Sequence, residues 1–250
     1  MFSRSDPPSP PSKMTQDEEE RVFSQQIQEA ECNAVTRLAA DDHSSKIVFR
    51  IINNAQGFAE TAYEMNRSPG PSRVVCKEGC NWCCYQSVHV SAPEAFRIAG
   101  FLMALQETAR TEAVDRLREL DRRTRGLTPA ERAALKPPCP FLSDGRCMIY
   151  PVRPLNCAGF TSFNVEDCKA SYHEGFLHAR VIGERARTLV YRAVRSGLAK
   201  GLREALPESD TAPLELTAAV VNALSSPEAL REWLAGRPVF EGAHFVEEEE

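Results

Sequence analysis

Residues 45–65, SKIVFRIINNAQGFAETAYEM, set Ile47, Ile51, Ala55, Phe58 and Ala62 at spacings of three and four. That spacing gathers them on one face of an α-helix, so the stretch reads as an amphipathic helix laid on a core. Ser68-Pro69-Gly70-Pro71 ends it. Helices are predicted on both sides of it. Asp17–Ala40 is polar but helix-friendly, and Asp17, Glu18, Glu19 and Glu20 suit the positive end of a helix. Ser91-Ala92-Pro93-Glu94 is a helix start, with Ser91 as cap and Glu94 three residues on. Phe96, Ile98, Ala99, Leu102 and Leu105 then supply its apolar side. Further helices are predicted over 111–125 and 129–135, over a long stretch from Gly175 to Ala205, and near 213–224 and 227–235. The buried stripe of the long one is expected at Ile182, Ala186, Leu189, Val190, Ala193 and Val194. Only Ser87–Val90 reads as a short strand. The fold class is therefore mainly α: an irregular α-helical domain with little strand.

One feature of the composition does not follow from a helical fold. Eight of the nine cysteines, Cys76 to Cys168, fall in the same part of the chain. The first block is Cys76-Lys-Glu-Gly-Cys80-Asn-Trp-Cys83-Cys84, and the second holds Cys139, Cys147, Cys157 and Cys168 in a Pro-, Gly- and Asn-rich stretch that reads mostly as loop. Short spacers let one segment give two ligands to a metal, and distant pairs complete the shell. A tetrahedral thiolate site uses four sulfurs, so eight could fill two sites, or one site with a surplus. In a helix, positions 76, 80, 83 and 84 would share one face, although Gly79 opposes a helix there. Soft sulfur ligands select zinc, an iron–sulfur cluster or Cu(I) over magnesium or calcium. Cys76, Cys80, Cys83, Cys84, Cys139, Cys147, Cys157 and Cys168 are the expected metal ligands, with zinc or an iron–sulfur cluster as cofactor. The two blocks must then meet although Ala92–Pro138 lies between them, and at least four sulfurs should converge. Cys32 is expected to be a separate buried thiol. His89 is a weaker candidate ligand, Trp82 a shield against water, Tyr150 a packing residue, and Arg153, between Pro151 and Pro154, a stiffly held cation for sulfurs or an acidic substrate.

Other classes are disfavoured. No run of 18 apolar residues exists, so no membrane-spanning helix is expected, and Met1–Met14 is Pro/Ser-rich without the apolar core of a secretory signal. A cytoplasmic location follows as the expectation, and thiols there stay reduced. The net charge of −5 is concentrated at the ends. Residues 1–20 hold two basic and five acidic groups and residues 241–250 five acidic groups, leaving a mildly basic body. The organisation expected is a disordered tail over 1–14, one α-rich domain over 15–240 with its cysteine core at 76–168, and an acidic tail over 241–250. Residues 176–203 carry seven Arg or Lys against one Glu. They read as a solvated helix face before a nucleic-acid surface. No nucleophile elbow, phosphate loop, HExxH or dinucleotide fingerprint is present.

Cys76…Cys80-x-x-Cys83-Cys84, then Cys139-Pro140-Phe141-Leu142…Gly145…Cys147…Ile149-Tyr150…Arg153-Pro154…Cys157, resembles the YkgJ-type CxxCxxCC cysteine-cluster family. The resemblance covers roughly residues 76–168 and implies a zinc- or iron-chelating domain whose cysteines bind the metal. The same domain is similar to part of flagellin lysine N-methylase, which implies an enzyme acting on a protein substrate as one alternative. A structural zinc module for a protein partner is another. Two positions depart from the family pattern. The first gap has three residues instead of two, and Ala158 stands where the family usually carries a basic residue after the last cysteine of the motif. A cation needed there must come from elsewhere.

Overall fold

The computed structural model describes residues 14–42, 44–174 and 181–245. The expected tail over 1–14 and the terminal acidic run lie almost wholly outside them. Ten α-helices are present among the described residues: α1 (Gln16–Asp41), α2 (Ile47–Asn66), α3 (Ala92–Met103), α4 (Glu107–Thr124), α5 (Pro129–Leu135), α6 (Leu155–Gly159), α7 (Val165–His173), α8 (Arg185–Ala205), α9 (Leu216–Ala223) and α10 (Ala229–Leu234). The strands are two-residue pieces: β1 (His89–Val90), β2 (Leu142–Ser143), β3 (Arg146–Cys147) and β4 (Leu214–Glu215). The mainly α reading is correct.

Local chemistry explains several of the helix starts. Thr15, Ser91 and Thr128 cap α1, α3 and α5, and each forms a capping box with the Glu three residues on. On α2 the periodic residues Ile47, Ile51, Ala55 and Ala62 are buried, and Phe58 is half-buried against the same core. That core joins the apolar faces of α2, α3, α8 and α9, with Trp233, Phe240 and Phe141 fully enclosed. α8 packs along α1 and touches α2 and α6, so it links the core to the second cysteine block. The approach of α1 to α8 requires Gly197, where a Cβ would run into the carbonyl of Gln28 and come within 2.8 Å of Glu31 Cβ. β1 pairs antiparallel with β4, His89 opposite Glu215 and Val90 opposite Leu214. The chain stays packed beyond residue 240: Ala243 is buried, and Asn222 Nδ2 donates to the carbonyls of Val239 and Glu241.

Two expectations are corrected here. The long helix begins at Arg185, and residues 175–180 lie outside the described ones. Residues 181–184 are not helical, and Glu184 itself has extended backbone. The Phe163 amide donates to the Ile182 carbonyl at 2.9 Å and the Glu184 amide to Thr161 Oγ1 at 2.9 Å, and these cross-chain bonds replace a helical turn. Ile182, placed on the buried stripe by spacing, is 65% exposed in consequence. The second cysteine block is also more regular than a loop, since α6 and α7 carry Cys157 and Cys168.

Candidate metal centre

The first block does not form a helical thiolate stripe. Residues 77–80 make a turn in which the Cys80 amide donates to the Lys77 carbonyl, and Gly79 takes φ +83°, a left-handed conformation that breaks any helix through it. Only Trp82–Tyr85 coils, as one 3₁₀ turn. Trp82 and Tyr85 then pack edge-on against Tyr172 of α7, with ring centroids 5.6 and 4.9 Å apart. This aromatic contact ties the first block to the helix that carries Cys168. Trp82 is half-buried in that contact.

The two blocks meet as the sequence requires. The Cys139 amide donates to the Cys84 carbonyl at 2.6 Å, and the Val75 amide to the Ser162 carbonyl at 2.9 Å. Cys147 sits on β3 opposite Leu142 of β2, a hairpin turned by Asp144 and Gly145, both at positive φ. Long side chains from the surrounding helices grip the carbonyls of this proline-rich stretch. Gln56 Nε2 of α2 donates to the Arg153 carbonyl at 2.7 Å. Arg97 Nη2 of α3 reaches the Pro151 carbonyl at 2.9 Å, and Arg116 Nε of α4 the Pro140 carbonyl at 3.3 Å. Glu94 does more. Its buried carboxylate accepts from Ser91 N and Oγ as the cap of α3, and its other oxygen accepts from Leu155 N at 2.8 Å, which holds the start of α6. The sequence marks Glu94 as a capping residue only, and Gln56, Arg97 and Arg116 carry no local signal at all.

The thiols form one neighbourhood with two lobes. Cys76, Cys80, Cys83 and Cys168 lie close enough to repel one another as thiolates. So do Cys139, Cys147 and Cys157, and Cys83 faces this lobe as well. Cys84 interacts with the Cys83 thiol, and that contact together with burial pushes Cys83 up strongly. Burial raises Cys139 far above an ordinary thiol and Cys157 up to about 12. Arg153 opposes these shifts at Cys83, Cys147 and Cys157, and its guanidinium lies 4.2 Å over the Tyr150 ring. The anchored cation thus faces sulfurs, while Tyr150 is 60% exposed and serves as its platform instead of a packing residue.

Convergence to coordinating distance is not observed: among the described residues no group of three or more His, Cys, Asp or Glu side chains is placed to hold a metal ion. What fits a metal is the chemistry of the donor set. Several thiols are desolvated enough to disfavour a thiolate, and three of them, Cys83, Cys147 and Cys157, share Arg153. A soft divalent cation is the partner that would stabilise them as thiolates. His89 stands apart, its ring 3.5 Å from that of Phe245 and its charged neighbour Arg195. Cys32 is buried between α1 and α8, donating to Glu204 at 3.3 Å. At Ala158 the cation comes from α8, where Arg187 Nε donates to the Ala158 carbonyl at 2.8 Å.

No helix among the described residues is long and apolar enough to cross a membrane. Neither the curated proteins nor the solved structures contain a match to the chain. A family model does match, over residues 75–174, with the description "putative zinc- or iron-chelating domain". That stretch takes in both thiol blocks and the three helices between them, and it is the part of the chain that is similar to the CxxCxxCC domain.

Proposed function

We propose that the chain is a YkgJ-type metal-binding protein that holds zinc or an iron–sulfur cluster through its eight clustered cysteines in a reducing compartment, the cytoplasm. The observation that carries the reading is the thiol neighbourhood, assembled from five separate segments by specific backbone and side-chain bonds. Cys76, Cys80, Cys83 and Cys168 would serve one lobe, and Cys84, Cys139, Cys147 and Cys157 the other, with Cys83 between them. Bound zinc would act as a closed structural ion, and iron–sulfur would add one-electron chemistry. Arg153 would stabilise the excess thiolate charge.

The test is iron, sulfide and zinc determination on oxygen-free full-length protein, with Cys157→Ser and Cys32→Ser as paired variants. The expected result is at least one metal per chain, reduced in Cys157→Ser and unchanged in Cys32→Ser. A folded, metal-free wild type would overturn the reading.

A further inference from the structure

The basic face of α8 is not uniformly a solvated surface. Arg185 pairs with Glu20 and Asp17, Arg187 with Glu60, and Lys200 with Glu204. Arg192 and Arg195 make no ion pair among the described residues, and both line a cavity of about 200 Å³ between α6 and α8. No Asp or Glu is among the described residues of its wall. Its wall mixes apolar residues such as Leu155 and Phe160 with the hydroxyl-bearing Thr161 and Thr188. Asn156 Oδ1 accepts from Arg195 Nη1 at 2.8 Å. That bond uses the acceptor of the amide and leaves its Nδ2 as a further donor on a residue of the cavity wall. Two guanidinium groups with no carboxylate partner among the described residues, beside a donor amide, have the chemistry of an oxyanion site.

We infer that the α6–α8 cavity binds a small oxyanion, a carboxylate or phosphate borne on a few carbons at most, through Arg192 and Arg195. A space of about 200 Å³ suits a ligand smaller than those whose pockets run from about 300 Å³ upward. Asn156 neighbours Cys157 on the five-residue α6, so the anion lies beside the second thiol lobe. The inference does not rest on metal binding, because no cysteine is among the described residues that line the cavity.

Titration calorimetry on the full-length chain at low ionic strength tests it, with inorganic phosphate and succinate as probes. Saturable 1:1 binding of either is expected, weakened about tenfold or more in Arg192→Gln and in Arg195→Gln and unchanged in Lys200→Gln, an α8 cation outside the cavity. Binding of phosphate alone would assign a phosphoryl ligand, and of succinate alone a carboxylate. Arg192 is exposed and holds no structural bond, so its variant decides the matter even if Arg195→Gln, which also releases Asn156, fails to fold. Binding of neither probe, or equal weakening in Lys200→Gln and Arg192→Gln, would overturn the inference.

Discussion

Glu94 is the side chain on which the junction between helices and thiols can be tested most directly. Replacing it with Ala removes three hydrogen bonds to a carboxylate, at 2.7, 2.8 and 2.8 Å. Two belong to the cap of α3, and losing a cap costs about 1 kcal/mol. The third leaves the Leu155 amide without its partner at a fully buried residue, at a cost of about 1–3 kcal/mol. Together the loss is about 3 kcal/mol, or roughly 6–12 °C in Tm for a chain of this size. Ser91→Ala separates the two parts. It weakens the cap by about 1 kcal/mol and leaves the Glu94–Leu155 bond in place. Thermal unfolding, together with the rate at which a thiol reagent labels Cys157, reads both effects. Glu94→Ala should unfold early and label faster at Cys157 below its midpoint, while Ser91→Ala should lose stability with little change in labelling. Equal labelling rates in the two variants, or a Glu94→Ala midpoint within about 2 °C of wild type, would refute the idea that this carboxylate anchors α6.

Two further outcomes follow from the α1–α8 contact. Glu31 is fully buried with both carboxylate oxygens unpartnered, and burial raises it from 4.5 to about 7. The folded state therefore keeps a proton that the unfolded chain releases, and stability falls as pH rises from 4.5 to 7. Denaturant unfolding of Glu31→Gln should match wild type near pH 4.5 and exceed it by about 3 kcal/mol at pH 8; a pH-independent difference would contradict this. Gly197→Ala, which on an exposed helix would stabilise by about 1 kcal/mol, should here destabilise by about 1–3 kcal/mol because the added methyl meets the Gln28 carbonyl. Thermal unfolding reads that sign.

The parts of this fold that the sequence discloses are those decided by neighbours along the chain. The face of α2 is written in residues three and four apart, and the start of α3 in four consecutive residues. The meeting of two cysteine blocks is legible for a different reason: soft ligands are of use to a metal only when gathered. What is not legible is decided across the chain. Ile182 continues the apolar spacing of α8, yet the bond from Phe163 to its carbonyl holds it in a non-helical segment. The spacing of Cys76, Cys80, Cys83 and Cys84 allows a helix, and the left-handed turn at Gly79 excludes it. The side chains of Gln56, Arg97 and Arg116 have no sequence signature, because their targets are backbone carbonyls 97, 54 and 24 residues away.

Those three bonds also explain how a short proline-rich stretch can hold thiols in place. Pro138, Pro140, Pro151 and Pro154 have no amide hydrogens, so these positions give no backbone bond to the stretch, which otherwise makes short turns and the β2–β3 hairpin. The carbonyls of Pro140, Pro151 and Arg153 still take donors. Helices α2, α3 and α4 supply them from long side chains, and Glu94 supplies an acceptor for the Leu155 amide at the start of α6. The cysteine region is thereby positioned from outside, by a helical frame whose own stability comes from apolar packing. Such a division lets the thiols keep the loop geometry that ligation demands while the frame carries the cost of ordering them.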